Sequence, residues 1–150
     1  MARILVSTER SVDAPAETVY GYIADMREHH PHFLPPAFSG FRVESGGVGA
    51  GTVTRFTMTA GGRTREYHMK VAEPEPGRVL TESDANSSAV TTFTVSPQGG
   101  ASLVQISTAW DGAHGIGGFF ERMFAPRVMR GIFADQLNRL DAYAREHRSA

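Results

Sequence analysis

Two hydrophobic rhythms divide the chain. Towards its end, apolar side chains recur at three- and four-residue steps: Ile116, Phe119, Phe120, Met123, Phe124, Val128, Met129, Ile132, Phe133, Leu137, Leu140 and Ala144. That spacing is the buried stripe of one helix, and the charged residues between, such as Arg127, Arg130, Asp135, Arg139 and Arg145, supply its wet face. The pattern predicts a helix over Ile116–His147. At ~1.5 Å per residue it would run roughly 48 Å, whereas a globule of this size has a radius of gyration of about 15 Å. A kink or break is therefore expected at Pro126, whose ring collides with the Arg122 carbonyl and which lacks an N–H. Gly131 and Ala134 are small and are expected to leave a notch facing the rest of the fold.

Between Phe38 and Trp110 the rhythm has period two. Phe41 and Val43 mark one strand, and Thr54, Phe56 and Met58 share a face of the next. Gly61-Gly62 reads as a hairpin turn, and Tyr67, Met69 and Val71 lie on the return. Glu73-Pro74-Glu75-Pro76-Gly77 then turns the chain. Val79–Ser83, Ala89–Val95 and Leu103–Trp110 make three more strands, the last two joined through Pro97-Gln98-Gly99-Gly100. With Ile4–Val12 the count is seven. Short connections make the sheet antiparallel. Asp13-Ala14-Pro15-Ala16-Glu17 starts a helix with Val19, Tyr22, Ile23 and Met26 as its buried stripe, and a short helix or turn over Arg27–Leu34 ends at Pro35-Pro36. One antiparallel sheet with an apolar face and one long amphipathic helix define an α+β packing in which the sheet wraps the helix.

Composition narrows the function classes. A chain of 150 residues fits a single domain over 1–150. Its 15 basic and 16 acidic side chains leave no global field for nucleic acid or an anionic membrane. The absence of cysteine removes thiolate chemistry and disulfides. No apolar run reaches membrane-spanning length and the first residues lack the pattern of a signal peptide, so a soluble, cytoplasmic protein without membrane insertion is expected. A homodimer is left open.

Three segments, Val12-Asp13-Ala14-Pro15-Ala16-Glu17-Thr18-Val19-Tyr20, Glu73-Pro74-Glu75-Pro76-Gly77-Arg78-Val79-Leu80 and Leu137-Asn138-Arg139-Leu140, in this order of elements, resemble the START-like superfamily. That superfamily is also called SRPBCC, or the birch-pollen-allergen fold, and the chain looks most like its small bacterial polyketide cyclase/dehydrase-type members. The resemblance implies a helix-grip fold: seven antiparallel strands around a long C-terminal helix, two short helices after the first strand, and an apolar cavity between sheet and helix. It does not imply one chemistry, because function follows the site rather than the fold.

Strand parity selects the inward-facing residues. Phe56, Met58, Tyr67, Met69, Glu82, Thr91, Phe93, Thr108 and Trp110 fall on the face the helix covers, and Phe120, Phe124, Met129 and Phe133 face them from the helix. Methionines that adapt to irregular space, beside Tyr and Trp whose polar atoms want partners, suit a small hydrophobic or aromatic, lipid- or polyketide-like ligand. A carboxylate on such a face has its pKa raised and can act as acid or base. For Glu82 the alternatives are an ion pair with Arg55 or Arg65, or an outward orientation. The first functional reading is thus a ligand-binding module. The second is a cofactor-free cyclase or aromatase using Glu82, Tyr67 or a nearby histidine as acid–base groups, and the third is a protein-interaction module using the arginine face of the last helix. In Glu28-His29-His30-Pro31-His32, Pro31 prevents a regular i, i+4 ligand pair, so packing or surface histidines are expected rather than a metal site. Gly46–Gly51 lacks the Lys-Ser/Thr ending of a phosphate loop and is expected to be a mobile gate beside the cavity mouth. No cofactor is expected.

Overall fold

In the computed structural model the backbone is described for residues 3–112 and 115–147, and the side chains for the same residues except 115–124. The strands are β1 (Arg3–Val12), β2 (Phe38–Ser45), β3 (Val53–Ala60), β4 (Arg63–Glu75), β5 (Val79–Asp84), β6 (Val90–Gln98) and β7 (Ala101–Asp111). The helices are α1 (Ala16–Ala24), a 3-10 turn α2 (His30–Phe33) and the long α3 (Gly115–Glu146). The sheet has seven strands in the order β1-β7-β6-β5-β4-β3-β2, every neighbouring pair antiparallel. This is the architecture that the two rhythms predict.

Period-two patterning sets the inner face. Ser102, Val104, Ile106 and Thr108 of β7 are buried while their neighbours are half-buried, as alternation on a pleated strand requires. At the β3–β4 hairpin, Gly61 and Gly62 both adopt left-handed φ values, 60° and 77°, which a two-residue turn of the primed kind demands. The other two predicted turns are shorter than expected. β4 continues through Pro74, with a register shift between Ala72 and Glu75. β6 continues through Pro97, opposite Ser102, leaving only Gly99-Gly100 to turn.

Three expectations are corrected. Of the kink or break expected at Pro126, the break is absent: α3 runs through it as one helix. Gly131 is exposed, and a Cβ there would meet nothing within 4 Å; the glycine lies on the solvent side of α3, so it makes no notch. On α1, Tyr20 is buried and Tyr22 is only half-buried. Tyr20 goes inward because its hydroxyl finds partners there, donating to Glu73 Oε2 at 2.7 Å and reaching the Val79 carbonyl at 3.3 Å. Tyr22 instead joins a surface ring cluster with His29, Tyr143 and His147.

The C-terminal half of α3 is held hard against the sheet. Leu137, Leu140 and Ala144 are buried in one cluster with Val6, Val12, Val104 and Ile106. Asp141, also buried, accepts from the Asp13 amide at 2.9 Å, from Arg10 Nη2 at 3.0 Å and from Arg145 Nε at 2.9 Å. Burial alone would raise its pKa, but these donors and charges outweigh burial and hold it below the usual carboxylate value.

Replacing Asp141 by Ala should lower unfolding stability by about 2–4 kcal/mol near neutrality, through loss of charge-assisted hydrogen bonds around a buried site. A depressed folded pKa contributes stability above the unfolded pKa that is lost as pH falls through the folded one. Urea unfolding of both proteins should therefore show the gap narrowing towards about pH 3.

Candidate functional site

Where the C-terminal half of α3 ends, the packing opens. A cavity of about 380 Å³ lies between the inner face of β3–β7, the α2 turn and α3. Its sheet wall contains Phe56, Met58, Tyr67, Met69, Glu82, Thr91, Phe93, Thr108 and Trp110, and its helix wall contains Met129 and Phe133. Parity and helical spacing thus bring these eleven residues together. Phe120 and Phe124 lie outside the described side chains.

Sequence reading missed the rest of the lining. His30 and Leu34 come from the α2 turn, and Phe38 and Phe41 from β2. Ala60, Gly61, Arg63 and Arg65 surround the β3–β4 hairpin, Ala89 precedes β6, and Ala125, Val128 and Gln136 stand on α3. Gln136 had a readable signal, being three residues after Phe133 and seven after Met129. His30 had none, because its position depends on how the α2 turn folds back. The Gly46–Gly51 loop, expected as a gate, is not part of the lining. It is tied to α1 and β4 by backbone bonds from Met26 N to Gly47 O, Gly49 N to Ala24 O and Gly51 N to Val71 O, with left-handed glycines permitting the path.

Register fixes the chemistry of the cavity wall. Val71, Glu82, Thr91, Thr108 and Val6 stand directly opposite one another across five strands, and all five are buried. Thr91 donates its hydroxyl proton to Thr108 Oγ1 at 3.0 Å, and Thr108 reaches the Val90 carbonyl at 3.2 Å. Between them and Val71 sits the Glu82 carboxyl.

Neither alternative for Glu82 survives. It faces inward, 6% exposed, and Arg55 pairs with Glu44 instead. Arg65 lies beside Tyr67. Among the described residues no side chain forms an ion pair or hydrogen bond with the Glu82 carboxyl, so burial pushes its pKa up to about 7. Asp84, two residues along the same strand face, shows the contrast: its oxygens accept from the His68 and Asn86 amides and the Ser87 hydroxyl. Burial likewise raises the Tyr67 hydroxyl's pKa, against the opposing effect of Arg65, while its ring stacks on Phe56 with centroids 5.2 Å apart.

His30 is 2% exposed, and burial lowers its pKa to about 4 despite a hydrogen bond from Nδ1 to the Ile23 carbonyl at 2.8 Å. Its ring packs against Phe33, Phe41 and Phe93. His29 is half-buried and His32 exposed. Among the described residues no group of three or more His, Asp or Glu side chains is arranged to hold a metal ion. No described helix is long and apolar enough to cross a membrane.

The site is thus a mixed sheet-and-helix cavity with a buried, titratable carboxyl in its wall. The chain belongs to the family described as polyketide cyclase / dehydrase and lipid transport, whose model matches residues 3–145. Among solved structures it is similar to the KanY protein, 34% identical over 97% of this chain and 99% of that one, with a TM-score of 0.86. It shares its fold with a START superfamily protein from Mycobacterium smegmatis, at 15% identity over 95% and 97% of the two chains and a TM-score of 0.74. The same holds for the Zhui aromatase/cyclase from Streptomyces sp. R1128, at 16% identity, 99% and 98% coverage and a TM-score of 0.80. No curated protein matches the chain. The helix-grip fold and the polyketide cyclase/dehydrase-type family that the sequence implied are thereby established.

Glu82 makes a pH prediction. A raised carboxyl pKa means that between about 4.5 and 7 the unfolded chain has released a proton the folded chain keeps, so stability falls with rising pH across that window and is level above it. The drop is on the order of 3 kcal/mol. His30 acts oppositely, because a histidine held neutral down to about 4 loses stability as pH falls below its unfolded value. Urea unfolding of wild type and Glu82→Gln across pH 4 to 8 isolates the first effect: the stability difference should shift in favour of Glu82→Gln as pH rises.

Proposed function

We propose that the protein binds a small hydrophobic or aromatic molecule, lipid- or polyketide-like, in the cavity between the sheet and α3. The observation that carries this reading is the open volume of about 380 Å³ walled by Phe56, Met58, Met69, Phe93, Trp110 and Met129. A fold with residues to spare for a solid core leaves few voids larger than a water molecule, so space of this size lined by apolar side chains suits a ligand. The family description and the similarity to an aromatase/cyclase fold support the same class of ligand.

Titration with an apolar fluorophore should give saturable, one-to-one quenching of Trp110, the only tryptophan, which lines the cavity. Ala125→Leu places a larger side chain on the helix wall and should weaken binding about tenfold or more, with stability held, because Leu and Ala are both good helix formers. Gly131→Leu serves as the control: its site is open to solvent, so binding should not change while the helix gains about 0.8 kcal/mol. Absence of saturable quenching, or destabilisation by Ala125→Leu without a change in binding, would overturn the reading.

A second reading is favoured by one observation, the Glu82 carboxyl with its pKa near 7 inside the cavity. Such a group can deliver a proton to, and remove one from, a carbon between two carbonyls, while the apolar walls hold a flexible chain in a folded shape. That is cofactor-free cyclase chemistry, with Tyr67 as a second polar group at the wall. With a poly-β-ketone model compound, protein-dependent ring formation should follow a pH profile that bends near 7 and flattens in Glu82→Gln. Ring formation no faster than in buffer would remove this reading and leave the carrier reading standing.

A further inference from the structure

His30 is the cavity residue whose hydrogen-bonding sense the fold fixes. Its Nδ1 lies 2.8 Å from the Ile23 carbonyl oxygen, and a carbonyl only accepts, so Nδ1 carries the proton. Burial keeps the ring neutral. A neutral imidazole protonated at Nδ1 has a bare lone pair at Nε2. The rings around it belong to Phe33, Phe41 and Phe93, at centroid distances of 4.8, 6.1 and 5.7 Å, and offer no donor. Among the described residues, Thr54 Oγ1 is the fully enclosed side-chain polar atom left without a partner. Among the described residues no side chain hydrogen-bonds to His30 Nε2, and His30 lines the cavity.

The neighbourhood repeats the same polarity. Phe93, on which His30 packs, is two residues along the inner face of β6 from Thr91, whose direct neighbour on β5 is Glu82. Thr91 directs its proton to Thr108 and so shows the cavity lone pairs. Glu82, protonated below about 7, accepts through its carbonyl oxygen and also carries one O–H donor. A buried acceptor without a donor is costly, and a ligand hydroxyl removes that cost.

We propose that His30 is a specificity-determining residue: its Nε2 accepts the proton of a neutral hydroxyl, a phenol or enol, on an otherwise apolar aromatic ligand, and the same lone pair turns a carboxylate away. The proposal rests on the ligand-binding reading of the cavity. An apolar body satisfies the aromatic walls, and a single hydroxyl satisfies the His30 acceptor.

Three probes of one shape, a naphthol, the corresponding methylnaphthalene and the corresponding naphthoate, test it by calorimetric titration of the wild-type protein. The naphthol should bind about tenfold more tightly than methylnaphthalene, the worth of one well-made buried hydrogen bond, and naphthoate should bind most weakly. His30→Asn keeps a donor for the Ile23 carbonyl and removes the far acceptor, so it should bring the naphthol to methylnaphthalene ratio close to one. Should that variant fail to fold, nitrogen-15 spectra of the wild-type imidazole decide. Nε2 should be unprotonated in the free protein, and its resonance should move on adding naphthol but not methylnaphthalene. Equal binding of naphthol and methylnaphthalene, tightest binding of naphthoate, or a proton on Nε2 would overturn the inference while leaving the ligand-binding reading intact. Failure of all three probes to bind would remove both.

Discussion

The fold depends on how α3 is fastened at one end. Leu137, Leu140 and Ala144 are buried against β1 and β7, and Asp141 draws the Asp13 amide, Arg10 and Arg145 onto the same turn. A helix is stiff over this length, so fixing one half of it fixes where the other half lies. The cavity lies beyond that fastened half, where Ala125, Val128, Met129, Phe133 and Gln136 of α3 face the sheet and the β3–β4 hairpin.

The division of labour is visible in the apolar clusters. One, around Ile23, Phe93, Ile106 and Leu137, is closely packed; the other consists of Phe56, Met58 and Met69 with partly buried neighbours such as Phe41, Tyr67 and Met129. Methionine's flexible thioether tolerates irregular surroundings, which fits the second cluster to a wall and the branched aliphatic residues of β1 and β7 to the core. Polar groups divide in the same way. Asp84 and Asp141 are buried and surrounded by donors, so they are structural. Among the described residues Glu82 and His30 are buried with hydrogen-bonding capacity left over. Buried polar groups are ordinarily satisfied; among the described residues Thr54 Oγ1 is an exception away from the cavity, while Glu82 and His30 border it.

This contrast also explains the opposed pH behaviour of the site. Burial acts against charge whichever sign it has, raising the carboxyl of Glu82 and lowering the imidazole of His30. Both are then largely neutral through the acid side of neutrality. A cavity whose titratable groups are uncharged suits an uncharged guest, and the charged side chains, Arg63 and Arg65, are exposed at the hairpin.

What the sequence determined by itself was everything that follows from periodicity. Alternation placed Phe56, Tyr67, Glu82, Thr91, Phe93, Thr108 and Trp110 on one face because a strand has no other way to orient successive side chains, and Met129 and Phe133 followed from helical spacing. Gly61-Gly62 turned the hairpin through local backbone conformation alone. Tertiary structure decided what depends on the angle between elements. Gly131 looked like a notch because it is small, but only the rotation of α3 about its axis tells that it faces solvent. Pro126 looked like a break because its cost is evident locally, yet α3 continues through it. His30 became part of the site when the turn after α1 folded back under β2, a path set by Ile23, Phe33 and Phe41 meeting in space. The openness of the cavity had no sequence signal, because the same apolar residues would fill a core or line a pocket, and the distance between sheet and helix makes the choice.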